Sequence, residues 1–164
     1  MRLFIGLFPD LPVRAALAAW RDGWNWPRSA SPVRTEQLHL TLHFIGDVEP
    51  ERVPQLAAAL PTAFTPFELQ FGRAVLWPHG VAVLEPDAIP ASLLALHADI
   101  GAVLRSLDLP LDTRAYRPHV TLARRAGAAA PPHQGPAIKW KIDRYALMES
   151  TLGPGGGYTR VQEY

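Results

Sequence analysis

Cysteine, an excess of charge of one sign and long hydrophobic runs are all missing from this sequence. The chain of 164 residues contains no cysteine, which excludes a disulfide framework, a catalytic thiol and zinc sites with thiolate ligands. Its 16 lysines and arginines nearly balance 15 acidic residues, so no whole-surface field attracts long duplex nucleic acid, and an anionic partner must be bound locally. No apolar run reaches the length of a membrane span or a signal peptide. We therefore expect a soluble cytoplasmic protein with no membrane contact.

The composition favours a single globular domain built from short elements. The chain is 48% hydrophobic and carries 17 prolines and 12 glycines. A chain of this length can bury a substantial core, while frequent proline and glycine interrupt long helices. We expect one domain over residues 1–164.

Two short stretches repeat the pattern His-x-Thr-Leu. In residues 38–44, leucine or phenylalanine alternates with His39, Thr41 and His43, which predicts a strand with one apolar and one polar face. Phe44 is then expected on the apolar face and His43 on the polar face, at the edge of a cleft. The second copy, residues 118–122, places His119 and Thr121 on its polar face in the same way.

Each copy follows the same series of elements. A buried strand at residues 3–8 precedes a helix capped by Asp10, and a strand at residues 81–84 precedes a helix that begins at Pro90. The offset is about half the chain. The repeat predicts an α+β fold of two lobes, with antiparallel sheets and outer helices related by an approximate two-fold axis and both histidine faces turned towards a common cleft.

The end of the chain is expected to form two further strands. Residues 138–151 alternate like one long strand, and a glycine-rich turn leads into a last strand at residues 158–164.

The paired motifs indicate acid–base chemistry at phosphorus. In-line displacement needs a base on the attacking side and an acid on the leaving side. Imidazole suits both roles because its ordinary pKa is about 6.5. His39 and His119 are therefore expected to face each other across a phosphoryl group, with Thr41 and Thr121 donating hydrogen bonds to its oxygens.

A metal site is the competing interpretation. His39 and His43 are four residues apart, which on a helix would place both on one face. On a strand, four residues span about 13 Å, too far for two imidazoles to share one ion.

Other side chains near the motifs are candidates for substrate contacts. Strict alternation places Arg125 rather than Arg124 on the face of His119, but the strand end leaves the choice open. Phe4, Tyr116 and Trp77 are candidates for stacking on a nucleobase, with core or loop packing as the alternative.

Taken together, these motifs resemble the two-histidine (2H) phosphoesterase superfamily, and within it the RNA 2′,3′-cyclic phosphodiesterases, also named 2′-5′ RNA ligases. The resemblance runs nearly end to end. Its segments are the opening Arg2-Leu3-Phe4, the stretch 38–46, the stretch 117–124, and the closing 147–150 followed by glycines and Tyr158. The ordered combination is more specific than any one of these segments.

The resemblance implies metal-independent, cofactor-free opening of a 2′,3′-cyclic phosphate to a 2′-phosphomonoester. His39 would be the proton donor to the departing 3′ oxygen and His119 the proton acceptor that activates water. Thr41 and Thr121 would bind the phosphate oxygens, and Arg124 matches the family's arginine after the second motif.

The expected partners are RNA 3′ ends that carry a 2′,3′-cyclic phosphate, or small cyclic nucleotides, bound by a monomer. In ligation, a 5′-hydroxyl would open the cyclic phosphate in place of water, which is the reverse of the transesterification that cleaves a 2′-5′ linkage. It would use the same residues. A noncatalytic module that binds RNA ends or nucleotides in the same cleft is the alternative.

Overall fold

Antiparallel strands form the framework of the protein, which a computed structural model describes over residues 1–164. Nine strands run in chain order as β1 Arg2–Leu7, β2 Ser31–Pro32, β3 Leu40–Asp47, β4 Phe67–Trp77, β5 Val81–Pro86, β6 Val120–Arg124, β7 Ile138–Ile142, β8 Ala146–Ser150 and β9 Tyr158–Glu163. Three α-helices are α1 Leu11–Asp22, α2 Val53–Ala59 and α3 Ala91–Ser106. Single 3₁₀ turns occupy Thr35–Gln37, Pro50–Arg52 and Pro78–Gly80.

The strands form one curled sheet with two similar halves. Its order is β7-β4-β5-β6-β3-β1-β8-β9, and the short β2 pairs with β6. The halves β7-β4-β5-β6 and β3-β1-β8-β9 meet through a single residue pair, Leu40 opposite Val120. The predicted α+β fold with antiparallel strands and outer helices is confirmed, and the two predicted sheets are joined edge to edge at this pair.

The core lies between the sheet and the two long helices. Asp10 accepts a hydrogen bond from the Val13 N–H at 3.2 Å and caps α1, as the sequence predicts. Leucines at helical spacing on α3 are buried in the same cluster of 35 residues as Leu40 and Val120. Because side chains alternate along a strand, the helices cover one face of the sheet and leave His39 and His119 on the other. No helix combines the length and the apolar character that a membrane crossing requires.

The prediction of one long strand over residues 138–151 is wrong. The chain forms β7 and β8, which lie in opposite halves, since β7 pairs with β4 and β8 pairs with β1. Asp143 and Arg144 interrupt the strand, and both side chains are largely exposed. Alternation continues beyond this interruption in the sequence, but it carries no information about a change of strand partner.

Candidate active site

A cleft of about 580 Å³ lies on the face of the sheet opposite the helices. His39, Thr41, His119, Thr121 and Arg124 all line it, so the structure brings together every residue that the sequence assigned to the site. No aspartate or glutamate lines the cleft. A cleft with two imidazoles, two hydroxyls and a guanidinium is suited to an anion.

The four histidine and threonine side chains converge because of the pair that joins the halves. Leu40 and Val120 are opposite each other in antiparallel strands, and both are fully buried. Continuing that register places His39 beside Thr121 and His119 beside Thr41, all on the cleft face. The two histidines are therefore diagonal neighbours, with backbones roughly 8 Å apart.

A β-bulge in each half decides which residue comes next in the cleft. In β1 and β3, Ile5 pairs with His43 and Gly6 with Thr41, so Leu42 is an extra residue. In β5 and β6, Ala82 pairs with Ala123 and Val83 with Thr121, so Leu122 is extra. Because one extra residue reverses the alternation, the residue three positions after each threonine points into the cleft.

The second bulge selects Arg124 for the cleft rather than Arg125. Arg124 lines the cleft, whereas Arg125 adopts a φ of 53° and donates to the Ser31 hydroxyl. The positive φ directs the chain away from the strand immediately after Arg124. Strict alternation therefore favours the wrong arginine, and the match to the family motif favours the right one.

The first bulge reverses the expected positions of His43 and Phe44. Phe44, expected among the buried leucines, lines the cleft and is 60% exposed. His43, expected at the cleft edge, is buried with 7% exposure. His39 and His43 thus lie on opposite faces of the sheet, and the metal site that their spacing suggested is absent from this geometry.

His43 belongs to a stack of three rings behind the cleft. Its Nε2 hydrogen-bonds the backbone oxygen of His97 at 2.8 Å, and its ring centre lies 4.0 Å from that of His97. His97 stacks in turn on Tyr116 at 3.8 Å, and the Tyr116 hydroxyl donates to the Thr41 carbonyl at 3.1 Å. Burial lowers the pKa of both histidines, that of His97 to about 4. Tyr116 therefore supports β3 from behind rather than stacking on a base.

His39 lies in an aromatic environment. Its ring centre is 5.1 Å from Phe4, 5.3 Å from Phe8 in a stacked arrangement, and 5.1 Å from Tyr158. Nδ1–H donates to the Gln37 carbonyl at 2.7 Å, so in the neutral ring Nε2 accepts from the Thr41 hydroxyl at 3.0 Å.

Burial lowers the pKa of His39 to about 4. The Gln37 carbonyl opposes this effect, while the charges of His119 and Arg124 add to it. At neutral pH His39 is therefore an unprotonated imidazole.

His119 has the same tautomer but a polar environment. Its Nδ1–H donates to the Arg117 carbonyl at 2.7 Å, and its ring centre lies 4.2 Å from that of Trp77. Burial lowers the pKa of His119, and Arg124 and Arg117 lower it further, whereas the Arg117 carbonyl and the charge of Glu85 raise it. Trp77 thus packs on a histidine and does not line the cleft.

The wall beside His39 contains residues that the sequence analysis did not assign. Tyr158, at the start of β9, contacts Phe4 at 4.9 Å and lines the cleft together with Phe44. Of the three aromatic candidates from the sequence, only Phe4 lies in the cleft, and it is 3% exposed. Phe44 is hidden from the sequence by the bulge, and Tyr158 is brought to the site by a strand 119 positions after His39 along the chain.

The glycine-rich turn forms one rim of the cleft. Arg34 donates to the Gly156 carbonyl at 2.6 Å, and Gln37 donates to the same oxygen at 3.3 Å. A Cβ at Gly156 would overlap the Thr151 carbonyl, so only glycine fits there. The turn is thus attached to the segment that also supplies the hydrogen-bond acceptor for His39.

Comparison with known proteins agrees with this architecture. The model of a family described as LigT like Phosphoesterase matches twice, over residues 7–83 and 84–158, and these two matches divide the chain as the sequence repeat does. The chain is 30% identical to the RNA 2′,3′-cyclic phosphodiesterase of Thermus thermophilus, over all of this chain and 89% of that protein. It is 31% identical to the Escherichia coli protein of the same name, over 92% of this chain and 85% of the relative. The crystal structure of Escherichia coli LigT complexed with 3′-AMP superimposes with a TM-score of 0.85 at 25% identity, covering 99% of this chain and 95% of that one.

Proposed function

The chain belongs to the LigT-like phosphoesterase family of the 2H superfamily, and from this we propose that it hydrolyses 2′,3′-cyclic phosphates of RNA ends or small nucleotides to 2′-phosphomonoesters. The observation that carries the proposal is the placement of two His-Thr pairs and Arg124 around one cleft free of carboxylates. The names of the two relatives support the same substrate class.

The reaction needs one proton removed and one supplied. Water attacks phosphorus and gives a proton to Nε2 of His119, the bond from phosphorus to the 3′ oxygen breaks, and Nε2 of His39 gives its proton to that oxygen. In both rings Nδ1–H is held by a backbone carbonyl, which leaves Nε2 for these transfers. Thr41, Thr121 and Arg124 bind the non-bridging oxygens and stabilise their charge.

The aromatic wall supports the assignment of His39 as the proton donor. Water attacks in line with the departing 3′ oxygen, so the ribose and its base lie on the side of the proton donor, away from the water. Phe44 and Tyr158 offer apolar ring surface on the side of His39, while Trp77 on the side of His119 is covered by that histidine and by Arg117 at 4.4 Å. We infer that the base stacks on Phe44 and that water enters beside His119.

Substrate binding has to raise the pKa of His39 before it can donate a proton. Burial holds that pKa at about 4. A phosphodiester anion bound by the threonines places a negative charge near His39 and offsets the charge of Arg124, and both effects favour the imidazolium. The rate is therefore expected to have a bell-shaped pH dependence that reports the coupled pair of histidines.

The direct test is turnover by the 164-residue chain in the presence of a chelator. The substrates are a 2′,3′-cyclic mononucleotide and a short RNA that ends in a cyclic phosphate, and phosphorus NMR identifies the product. We expect a 2′-phosphomonoester from both. Binding of either compound by folded protein without any turnover would instead identify a noncatalytic nucleotide-binding module, and a rate that is flat between about pH 5 and 9 would contradict the acid–base assignment.

Ligation follows from the same arrangement. A 5′-hydroxyl that enters in place of water would transfer its proton to His119 and form a 2′-5′ phosphodiester. Hydrolysis dominates in dilute solution because water is far more concentrated than RNA ends. A mixture of cyclic-phosphate and 5′-hydroxyl RNA at rising concentration tests for the joined product.

A further inference from the structure

Glu85 is a buried acidic residue next to the cleft that none of the steps above uses. It lies on β5 and is 6% exposed. Its Oε1 accepts a hydrogen bond from Trp77 Nε1 at 2.6 Å and forms an ion pair with Arg117. Its Oε2 binds Arg73 at 2.5 Å. A buried carboxylate with three donors is held in one position.

The first half of the fold shows that this position does not need a carboxylate. Leu84 pairs with Val120 as Leu7 pairs with Leu40, so Glu85 in the second half corresponds to Phe8 in the first. Phe8 stacks directly on His39 at 5.3 Å. Glu85, at the corresponding position of the second half, therefore acts on His119 through other residues and not by direct contact.

Two of the three partners of Glu85 also contact His119. The Trp77 ring lies 4.2 Å from the imidazole, and the Arg117 carbonyl accepts its Nδ1–H at 2.7 Å. The Arg117 guanidinium additionally lies 4.4 Å from the centre of the Trp77 ring. Glu85 thus fixes both the ring against which the imidazole packs and the residue whose carbonyl orients it.

We propose that Glu85 is a positioning residue for His119, in a role that rests on the proposed function. Its carboxylate fixes Trp77 and Arg117, and these two residues hold the imidazole with Nε2 towards the cleft. An imidazole that is free to turn loses the alignment needed for proton transfer, which costs rate even when substrate still binds.

The charges around His119 make the role measurable. Arg117 comes from the preceding loop, Arg124 from β6, Glu85 from β5, and His39 faces it from the segment before β3. Glu85 raises the pKa of His119, while Arg117 and Arg124 lower it. Removing Glu85 or Arg117 therefore moves that pKa in opposite directions.

The test compares three variants of the 164-residue chain, Glu85→Gln, Arg117→Gln and Arg144→Gln. We expect kcat to fall about 10-fold in the first two, with little change in KM, because both loosen His119. By NMR titration, the pKa of His119 falls in Glu85→Gln and rises in Arg117→Gln. Arg144→Gln is the matched control, since its guanidinium pairs with Asp143 and Glu163 and contacts none of these residues, and it keeps the wild-type kcat and the wild-type pKa of His119.

The outcomes separate positioning from a purely structural role. A lower melting temperature in Glu85→Gln with kcat and the pKa of His119 unchanged overturns the proposal, as does a pKa that moves in the same direction in both variants. If Glu85→Gln does not fold, Trp77→Phe decides, because it keeps an aromatic ring beside His119 and removes the hydrogen bond to Glu85; an unchanged kcat in that variant overturns the proposal. If the wild type does not turn over cyclic phosphates, the proposed function fails, and the imidazole titrations still show whether Glu85 acts on His119.

Discussion

The two halves of the molecule present the same backbone and different walls. Each supplies a His-x-Thr segment, a bulge at the following leucine and one further residue in the cleft. That residue is Phe44 in the first half and Arg124 in the second. The floor of the cleft is thus symmetric, while the wall of the half that contains His39 carries aromatic rings as well as Arg2, and the wall of the half that contains His119 carries Arg124. Symmetry places the two histidines, and under the proposed function asymmetry would give the bound phosphodiester a direction.

The residues around the two histidines also differ, with aromatic rings around one and charged groups near the other. His39 is enclosed by Phe4, Phe8 and Tyr158. His119 is held by a tryptophan and an arginine attached to Glu85. An aromatic enclosure favours the neutral ring until an anion arrives, whereas a nearby carboxylate partly offsets the cost of protonation. Two identical side chains can therefore differ in protonation at one pH.

The largest expected effect comes from removing either histidine. His39→Ala and His119→Ala each lower kcat by roughly 10³- to 10⁴-fold, because each removes one of two proton transfers. The double variant is little worse than either single one, since residues that act as a unit are not additive. Turnover of a cyclic nucleotide measures this, with His133→Ala in an exposed loop as the control. If either single variant retained most of the activity, the histidine it lacks would not be needed for proton transfer.

Replacement of Arg124, the arginine that lines the cleft beside His119, is expected to have the next largest effect. Arg124→Gln lowers kcat/KM about 10- to 100-fold, because a charge-assisted hydrogen bond to the phosphate is lost. The variant also moves the pH profile of the rate to higher pH, since Arg124 lowers the pKa of both histidines. Arg125→Gln is the matched control, one residue along and bonded to Ser31, and it retains activity. Equal losses in both variants would mean that the bulge does not select the arginine.

Removal of the aromatic wall should affect only substrates that carry a base. Phe44→Ala raises KM for a cyclic nucleotide roughly 10-fold, within the usual contribution of a stacked base. With ribose 2′,3′-cyclic phosphate, which has no base, KM stays unchanged, and Phe44→Tyr preserves both values. A similar rise in KM with the base-free substrate would mean that the base does not stack on Phe44.

The smallest expected effect is a loss of stability in acid. Burial lowers the pKa of His39 and His97 from 6.5 to about 4, and that of His43 in the same direction. The unfolded chain then binds more protons between about pH 6.5 and 4, so the free energy of unfolding falls as the pH falls through this window. We expect a loss of about 1 kcal/mol for His97, allowing for its partial exposure.

Urea unfolding at pH 7 and pH 4 measures this change. His97→Ala should show a smaller pH dependence than the wild type, and His133→Ala should match the wild type. If the free energy of unfolding of His97→Ala changed with pH as much as that of the wild type, His97 would not be an unprotonated histidine in the folded state.

The sequence predicts the chemistry of the cleft more reliably than its walls. His39, Thr41, His119 and Thr121 follow from a period of two that holds over three residues. The prediction fails at His43 and Phe44 because a bulge has no compositional signal when the extra residue is an ordinary leucine. Arg124 was identified by its motif and not by alternation, for the same reason.

Residues far along the chain could be placed only by the topology. Tyr158 reaches His39 through the pairing of β9 with β8 and of β8 with β1, and Glu85 reaches His119 through the pairing of β5 with β6. Local patterns carry no information on strand order, which is also why residues 138–151 resembled one strand. Long-range strand pairing therefore completes a site that local patterns only begin.

Both histidines directly precede Leu40 and Val120, the one residue pair between β3 and β6. Their separation is consequently set by the distance between two hydrogen-bonded backbones, which substitutions in the walls leave intact. For protein engineering, the floor and the walls are separate modules. Residues such as Phe44 and Tyr158 can be replaced to accept a different phosphodiester while the spacing of the two imidazoles is retained.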